Sequence, residues 1–491
     1  MFNRVISSFF LFLLLSTVAE AQNFSVSFTS AASTLPFTGK VFLFLSKDNK
    51  KPKDGEVGLD HSAYCSMSVE NIKPGEAILF TDAAQYYPVA LSGLERGEYY
   101  VQAVWDKNEG GRAISRSPGN MYNNSVKCTL SKDFKQIFTI TCSESAPKKT
   151  FSETKYAKEV IVPSTLLTSF FKKPVSLNGA VILPKSYEEQ PQRRYPVLYR
   201  VSGFGGDYHS FSGKTDFSQP LDTTECIRVI LDGNCPLGHS VYANSDNNGP
   251  VGDALTQEFI PFIEKSYRCN GARFLGGHSS GGWTVLWLQT QYPKVFTACW
   301  SSSPDPVDFR SFQKVDLYND KNMFYTSDSS LRNVATIAGF ISWATMKSIY
   351  GAEHIIYRGE QMHSFNAVFS QRNADGSPAS LCNDLTGEID PATVAHWKNY
   401  DISLLVRNNW DQIKNDLQGK VRISVGNQDN FLLNYAVHLF DGEMKKLNSG
   451  FVFQYYPGDH FTVSSPEYMS AGEKFLEGKY NEWLASHPAK K

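Results

Sequence analysis

The pentapeptide Gly277-His278-Ser279-Ser280-Gly281 stands between a strand-like run, Arg273-Phe274-Leu275, and a helical segment from Gly282 to Gln291 that Tyr292-Pro293 closes. A chain that passes from strand to helix within five residues must turn sharply, and side chains two residues before and after the turn's centre would collide. Glycine at 277 and 281 removes both collisions. Such a turn lifts the Ser279 hydroxyl above the sheet and sets the N–H dipoles of a helix N-terminus beside it. Since G-x-S-x-G arises by chance in roughly one chain in six of this length, the flanking strand and helix carry the argument.

The rest of the chain supplies the context that such a turn needs. After a polar stretch, 143–150, apolar strands alternate with helical segments, the pattern of a mainly parallel sheet with helices on both faces. Pro196 to Val201 runs into a Gly-rich loop, Ile227 to Leu231 into Asp232-Gly233, and Arg273 to Leu275 into Gly276-Gly277. A helix over about 253–265 carries Leu255, Phe259, Phe262 and Ile263 at helical spacing. Between Pro304 and Gly419 the text is long, irregular and aromatic, which reads as an insertion over about 305–418. Before the linker, residues 22–142 consist of short runs such as Lys40-Val41-Phe42-Leu43-Phe44-Leu45, separated by Gly, Asn and Pro clusters, and predict a small β-sandwich of accessory character. The expected organisation is therefore a segment 1–21, an all-β region 22–142, a linker 143–150 and an α/β domain over 151–491.

The segment 1–21 has the marks of a cleavable export signal: Arg4, the apolar run Val5 to Leu15, then Ala19-Glu20-Ala21. Its run is well short of the ~20 apolar residues that span a bilayer, so a secreted or periplasmic chain without a membrane anchor is expected. A formal net charge of −1 gives no electrostatic reason to expect nucleic acid as a partner. Eight cysteines in an exported chain could pair; Cys128 and Cys142 flank two strand-like runs around Lys132-Asp133-Phe134-Lys135 and are expected to face each other across a hairpin as a disulfide. No zinc-type spacing occurs, and the chemistry below requires neither metal nor organic cofactor.

A serine hydroxyl is a poor nucleophile until a base takes its proton. In sites built on this kind of turn, a carboxylate and a histidine follow the serine in that order. His460 comes after the strand Phe451 to Tyr456 and the turn Pro457-Gly458-Asp459. His438 and His278 read as packing or scaffold residues, with His354 and His363 in reserve within the insertion. Asp429 follows the strand Val421 to Val425 at its carboxyl edge; Asp305 and Asp459 are its rivals. The backbone N–H groups of Ser280 and Phe204 are the candidates for an oxyanion hole, since Ser202-Gly203-Phe204-Gly205-Gly206 follows the Tyr199 strand.

With Arg194 to Tyr199, the Gly203 to Gly206 loop, Gly277 to Trp283, the Asp429 strand end and Asp459-His460-Phe461, the chain resembles the esterase branch of the α/β-hydrolases from about Glu159 to His487. That branch includes esterase D, feruloyl esterases, enterochelin esterases and secreted mycolyltransferases. One departure is Ser202-Gly203, where relatives often carry His-Gly. The resemblance implies hydrolysis of a carboxylic ester through an acyl-serine. By analogy, the ester is carried on a polysaccharide or a siderophore. In similar proteins, a segment like Asn244 to Pro250 forms an active-site rim, which would place Asp246, Asn247 and Asn248 near the substrate; Trp283, after the serine turn, is a further expected rim residue. An acyltransferase or a peptidase would use the same triad, and a silent carbohydrate-binding or adhesion protein would have no use for it.

Overall fold

Long apolar runs predict strands covered on both faces, as the central strands here are, and residues 157–456 contribute eight strands to a single sheet. They are β1 (Ala157–Pro163), β2 (Ser176–Ile182), β3 (Tyr195–Val201), β4 (Ile227–Leu231), β5 (Cys269–His278), β6 (Ala298–Ser302), β7 (Val421–Gly426) and β8 (Val452–Tyr456). The order across the sheet is β1-β2-β4-β3-β5-β6-β7-β8. From β4 to β8 every neighbouring pair is parallel, while β2 runs antiparallel to both β1 and β4. The computed structural model describes residues 23–131 and 136–488; the expected signal segment and the turn at 132–135 lie outside the described residues.

Six helices matter for the site: α1 (Ser280–Gln291), α2 (Met346–Ile356), α3 (Gln361–Phe369), α4 (Ile402–Leu417), α5 (Leu433–Lys446) and α6 (Pro466–Ser486). Because α1 is apolar all round, it needs cover on every side. The sheet covers one side, and aromatic residues of the 305–418 insertion cover another: Trp283 stacks on Trp287, Trp287 on Tyr400, and Trp283 meets Phe369. Before β5, helical turns over Val251–Ala254 and Ile260–Ser266 flank a π-helical turn, Leu255–Phe259. Leu255, Phe259 and Ile263 are buried, but Phe262, expected on the same face, is 41% exposed, since the wider turn shifts the helical phase.

Residues 23–145 form two sheets with a core between them that includes Phe24, Phe28, Leu43, Val101 and Trp105. The three-stranded sheet pairs Asn23–Phe28 with Ile78–Phe80 and with Ile137–Cys142. In the larger sheet, Phe37–Ser46 lies between Ala63–Ile72 and Gly97–Asp106. Alternate side chains of a strand point to opposite faces, and here both faces are covered. Val41, Leu43 and Leu45 enter the inner core, whereas Phe42 and Phe44 join Tyr64 and Val104 against Ala352, Ile355 and Ile356 of α2. Beside this contact, the buried Arg358 binds the buried Asp106 through two nitrogens, at 2.8 and 3.1 Å.

The expected Cys128–Cys142 disulfide is corrected by the pairing of the strands. Val126–Leu130 pairs with Gly97–Asp106, while Ile137–Cys142 pairs with Asn23–Phe28 in the other sheet, so no hairpin brings the two residues face to face. All eight cysteines are free thiols, and Cys299 is buried in β6. No helix among the described residues is long and apolar enough to cross a membrane.

Candidate active site

The carboxyl ends of the parallel strands bring five loops together, as open parallel sheets do at their ligand edge. Ser279 ends the β5 turn with φ 59° and ψ −126°, a left-handed conformation that costs a non-glycine residue on the order of 1–3 kcal/mol. Its backbone is fixed from both sides: Ser279 N–H donates to Ser302 O at 2.9 Å, and Trp283 N–H donates to Ser279 O at 3.0 Å. A Cβ on Gly277 would stand 2.1 Å from Gly281 O, and one on Gly281 would stand 2.1 Å from Val201 O. Glycine at 281 thus answers to the end of β3, and glycine at 277 to the turn itself.

Asp429 and His460 follow β7 and β8. The His460 ring binds through Nδ1 to Asp429 Oδ2 at 2.8 Å, with both side chains almost fully buried. Asp429 Oδ1 also accepts from Phe431 N–H at 3.0 Å. The backbone of His460 is held by Asn430, whose Oδ1 accepts from His460 N–H at 3.0 Å. Asn430 in turn donates to Thr336 O on the insertion's hairpin. Ser279 and His460 line one cavity of about 400 Å³.

The rival residues are engaged elsewhere. Asp305 accepts from Ser280 Oγ at 2.6 Å, and burial raises its carboxyl to about 6. Asp459 closes its own turn, accepting from Phe461 N–H and Thr462 N–H. His278 packs 4.5 Å from the His460 ring and bonds Ser302 Oγ through Nδ1; burial, with His460 beside it, lowers it to about 4, so it is neutral at pH 7. His438 stacks on Tyr455, and His354 bonds Asp384. His363 lies near Asp384 and Glu353 at the start of α3.

The loop after β3 presses on the serine: a Cβ on Gly203 would stand 3.1 Å from Ser279 Cβ. Phe204 follows it and lines the cavity. Ser280 opens α1, where no preceding turn supplies an acceptor for its N–H. Both N–H groups therefore lie on the segments that flank Ser279.

The expected rim residues do not surround this cavity. Trp283 is fully buried under the insertion, because the helical residue four positions beyond Ser279 points back into the core. Asn244–Ser245 pairs with Gly249–Pro250, and this ribbon is tied to the insertion: Asn247 Nδ2 donates to Ser370 O, and Arg372 donates to Asn247 O. Asn247 and Asn248 are buried, while Asp246 lies in a separate open cleft with Arg372 and Tyr400.

Several lining residues were not singled out in the sequence. Trp343, Phe365, Phe431 and Phe461 form aromatic walls, and Glu353 and Glu360 bring carboxyls. Burial pushes Glu360 up to about 7, with Arg112 opposing the shift. Glu353 is a helix-end acceptor, bonding the N–H groups of Met362 and His363 at 2.9 Å. Glu56, Val57 and Leu59 reach the same cavity from the all-β region.

The family profile described as "Putative esterase" matches residues 174–463. The chain belongs to this family. It is accordingly a carboxylic ester hydrolase of the α/β type. The match covers β2 to β8 with the Ser279 turn, Asp429 and His460, and leaves out the all-β region. Solved structures are matched at low identity. A fluorophosphonate-binding serine hydrolase of Staphylococcus aureus is 14% identical over 65% of this chain and 97% of its own, with a TM-score of 0.39. An S-formylglutathione hydrolase of Agrobacterium tumefaciens is 14% identical over 68% and 97%, at 0.38. A ferulic acid esterase of Anaeromyces mucronatus is 15% identical over 67% and 92%, at 0.33. No curated protein matches the chain in sequence.

Proposed function

We propose that this esterase is an exported serine hydrolase that cleaves a neutral carboxylic ester through an acyl-Ser279 intermediate. The observation that carries the reading is the 2.8 Å bond between buried Asp429 and His460, made at the wall of the cavity that Ser279 enters on a strained turn. In this scheme His460 takes the Ser279 proton through Nε2 as Oγ attacks the ester carbonyl. Asp429 holds the ring so that Nδ1 carries its proton toward the carboxylate, and stabilises the imidazolium. The N–H groups of Ser280 and Phe204 receive the negative oxygen. Collapse breaks the ester C–O bond, His460 returns the proton to the leaving alcohol, and water repeats the sequence to free the acid.

The cavity supports a substrate of limited charge. Its described lining includes Asp305, Glu353 and Glu360 but no lysine or arginine, so a strongly anionic ester would meet repulsion. The aromatic walls suit an apolar or aromatic acyl group. Export, read from Arg4 to Ala21, supports a reaction outside the cytoplasm, and an ester borne on a polysaccharide suits that location and a carboxyl-lined cavity better than an anionic siderophore does.

A panel of short and aromatic nitrophenyl esters, acetylated xylan and peptides, assayed with wild type and Ser279→Ala, tests the reading. Wild type should hydrolyse esters rather than peptides, and Ser279→Ala should lose at least a thousandfold in kcat while keeping its circular dichroism. Wild-type turnover by Ser279→Ala would remove Ser279 from the mechanism.

A further inference from the structure

The all-β region does more than lie beside the hydrolase sheet. Its Arg112 reaches to the loop after β3, with the guanidinium centred 4.3 Å from the middle of the Phe204 ring. A Cβ on Gly205 would stand 3.4 Å from Arg112 Nη2, so the planar group covers this part of the loop closely. Arg112 is itself fixed: Nη1 donates to Gly359 O at 2.8 Å and approaches Glu360 Oε2 at 3.4 Å. Its backbone is fixed as well, since Arg358 donates to the carbonyls of Gly111 and Arg112 at 3.0 and 3.3 Å. A Cβ on Gly359 would stand 2.2 Å from Arg112 O, which shows how tightly the two backbones approach. The chain of contacts runs from the buried Asp106–Arg358 pair, through Arg112, to Phe204.

We infer that Arg112 is a positioning residue for the oxyanion loop, which makes the all-β region part of the catalytic apparatus. The inference rests on the reading that Phe204 N–H receives the oxyanion at Ser279. The loop is rich in glycine, with Gly205 at φ +82°, so its backbone has little intrinsic stiffness. A hydrogen-bond donor stabilises the developing charge fully only when it is already aimed at it. A guanidinium seated over the adjacent ring and fixed through its other nitrogens supplies that stiffness, which an ammonium's point charge does not reproduce. Arg112 touches neither the attacking oxygen nor the proton path in this account, so its loss weakens binding of the transition state more than binding of the ester.

The test is a double-mutant cycle in the full chain with Arg112→Ala, Phe204→Leu and the pair. Arg112→Lys and Ser279→Ala are run alongside. The readouts are kcat and KM on the best nitrophenyl ester, inhibition by the matching trifluoromethyl ketone, and Tm. Removal of one oxyanion donor costs about 10²–10³-fold, so loosening one is expected to cost about ten- to a hundredfold in kcat. KM should stay within threefold for Arg112→Ala, and ketone affinity should fall in step with kcat. The pair should be no slower than the slower single variant, because both changes remove one contact. Arg112→Lys should recover at most part of the loss, and it replaces Arg112→Ala in the cycle if that variant does not fold. Wild-type kcat in the folded Arg112 variant, or losses that multiply in the pair, overturn the inference. A rise in KM that accounts for the whole loss also overturns it. If Ser279→Ala stays active, the reading of the site falls first, and the inference falls with it.

Discussion

Asp429 bonds one ring nitrogen of His460, and in the proposed mechanism that single bond sets both the tautomer and the orientation of the base. Asn in its place would still fill the volume but would favour the wrong tautomer, which in serine-protease triads lowers turnover about 10⁴-fold. Asp429→Asn is expected to lose on the order of 10³–10⁴ in kcat. Asp459→Asn and Asp305→Asn should each lose about tenfold at most, since one carboxylate closes its own turn and the other binds Ser280. Measuring kcat for the three variants on one ester, with circular dichroism to exclude unfolding, separates them. A crippled Asp305→Asn beside a near-normal Asp429→Asn would move the acid to the loop after β6. The sequence favoured Asp429 over Asp305 and Asp459 through position, because it follows a strand end of the right chain order. It held no signal for Asn430, whose role depends on a carbonyl of the insertion nearly a hundred residues away.

At the scale of elements, strands β3, β4, β5, β7 and β8 were legible because apolar runs leading into glycine or aspartate are hard to read as anything else. The Ser279 turn was legible because Gly277 answers to a steric need within four residues, whereas the demand on Gly281 comes from the distant end of β3. What covers an element was harder to read. The run Val41 to Leu45 has no polar alternation, which is the mark of a strand buried on both faces, yet the identity of α2 as its second cover lies some three hundred residues downstream. The same gap explains Trp283 and the 244–250 ribbon, both of which are claimed by the insertion. Cys128 and Cys142 were misread because their strands find distant partners in different sheets. A substitution tests the corrected place of Trp283: Trp283→Ala removes a fully buried indole stacked on Trp287 and should destabilise by about 3–5 kcal/mol. The milder Trp283→Phe should lower Tm while leaving KM within twofold; a raised KM at unchanged Tm would return Trp283 to the substrate.

For the whole molecule, the buried contacts between the all-β region and α2 argue that the two parts fold as one unit. A chain beginning at Phe151 would expose Ala352, Ile355 and Ile356 and leave Arg358 without Asp106. Removing one partner of a buried ion pair costs about 3–5 kcal/mol. The truncated chain is therefore expected to aggregate or to unfold at lower temperature, and to lose hydrolysis of even small esters. A 151–491 fragment with wild-type Tm and kcat would show the β region to be a detachable accessory, as the linker and the change in composition suggested from sequence alone. The central claim, however, concerns a covalent bond at one atom. Rapid-quench mass spectrometry of the full chain mixed with a nitrophenyl ester of an aromatic acid observes it directly. The account predicts a transient gain of the mass of one acyl group, confined to the peptide that contains Ser279 and formed no more slowly than turnover. Turnover without any adduct on that peptide, or an adduct on another residue that forms and decays at the catalytic rate, would contradict it.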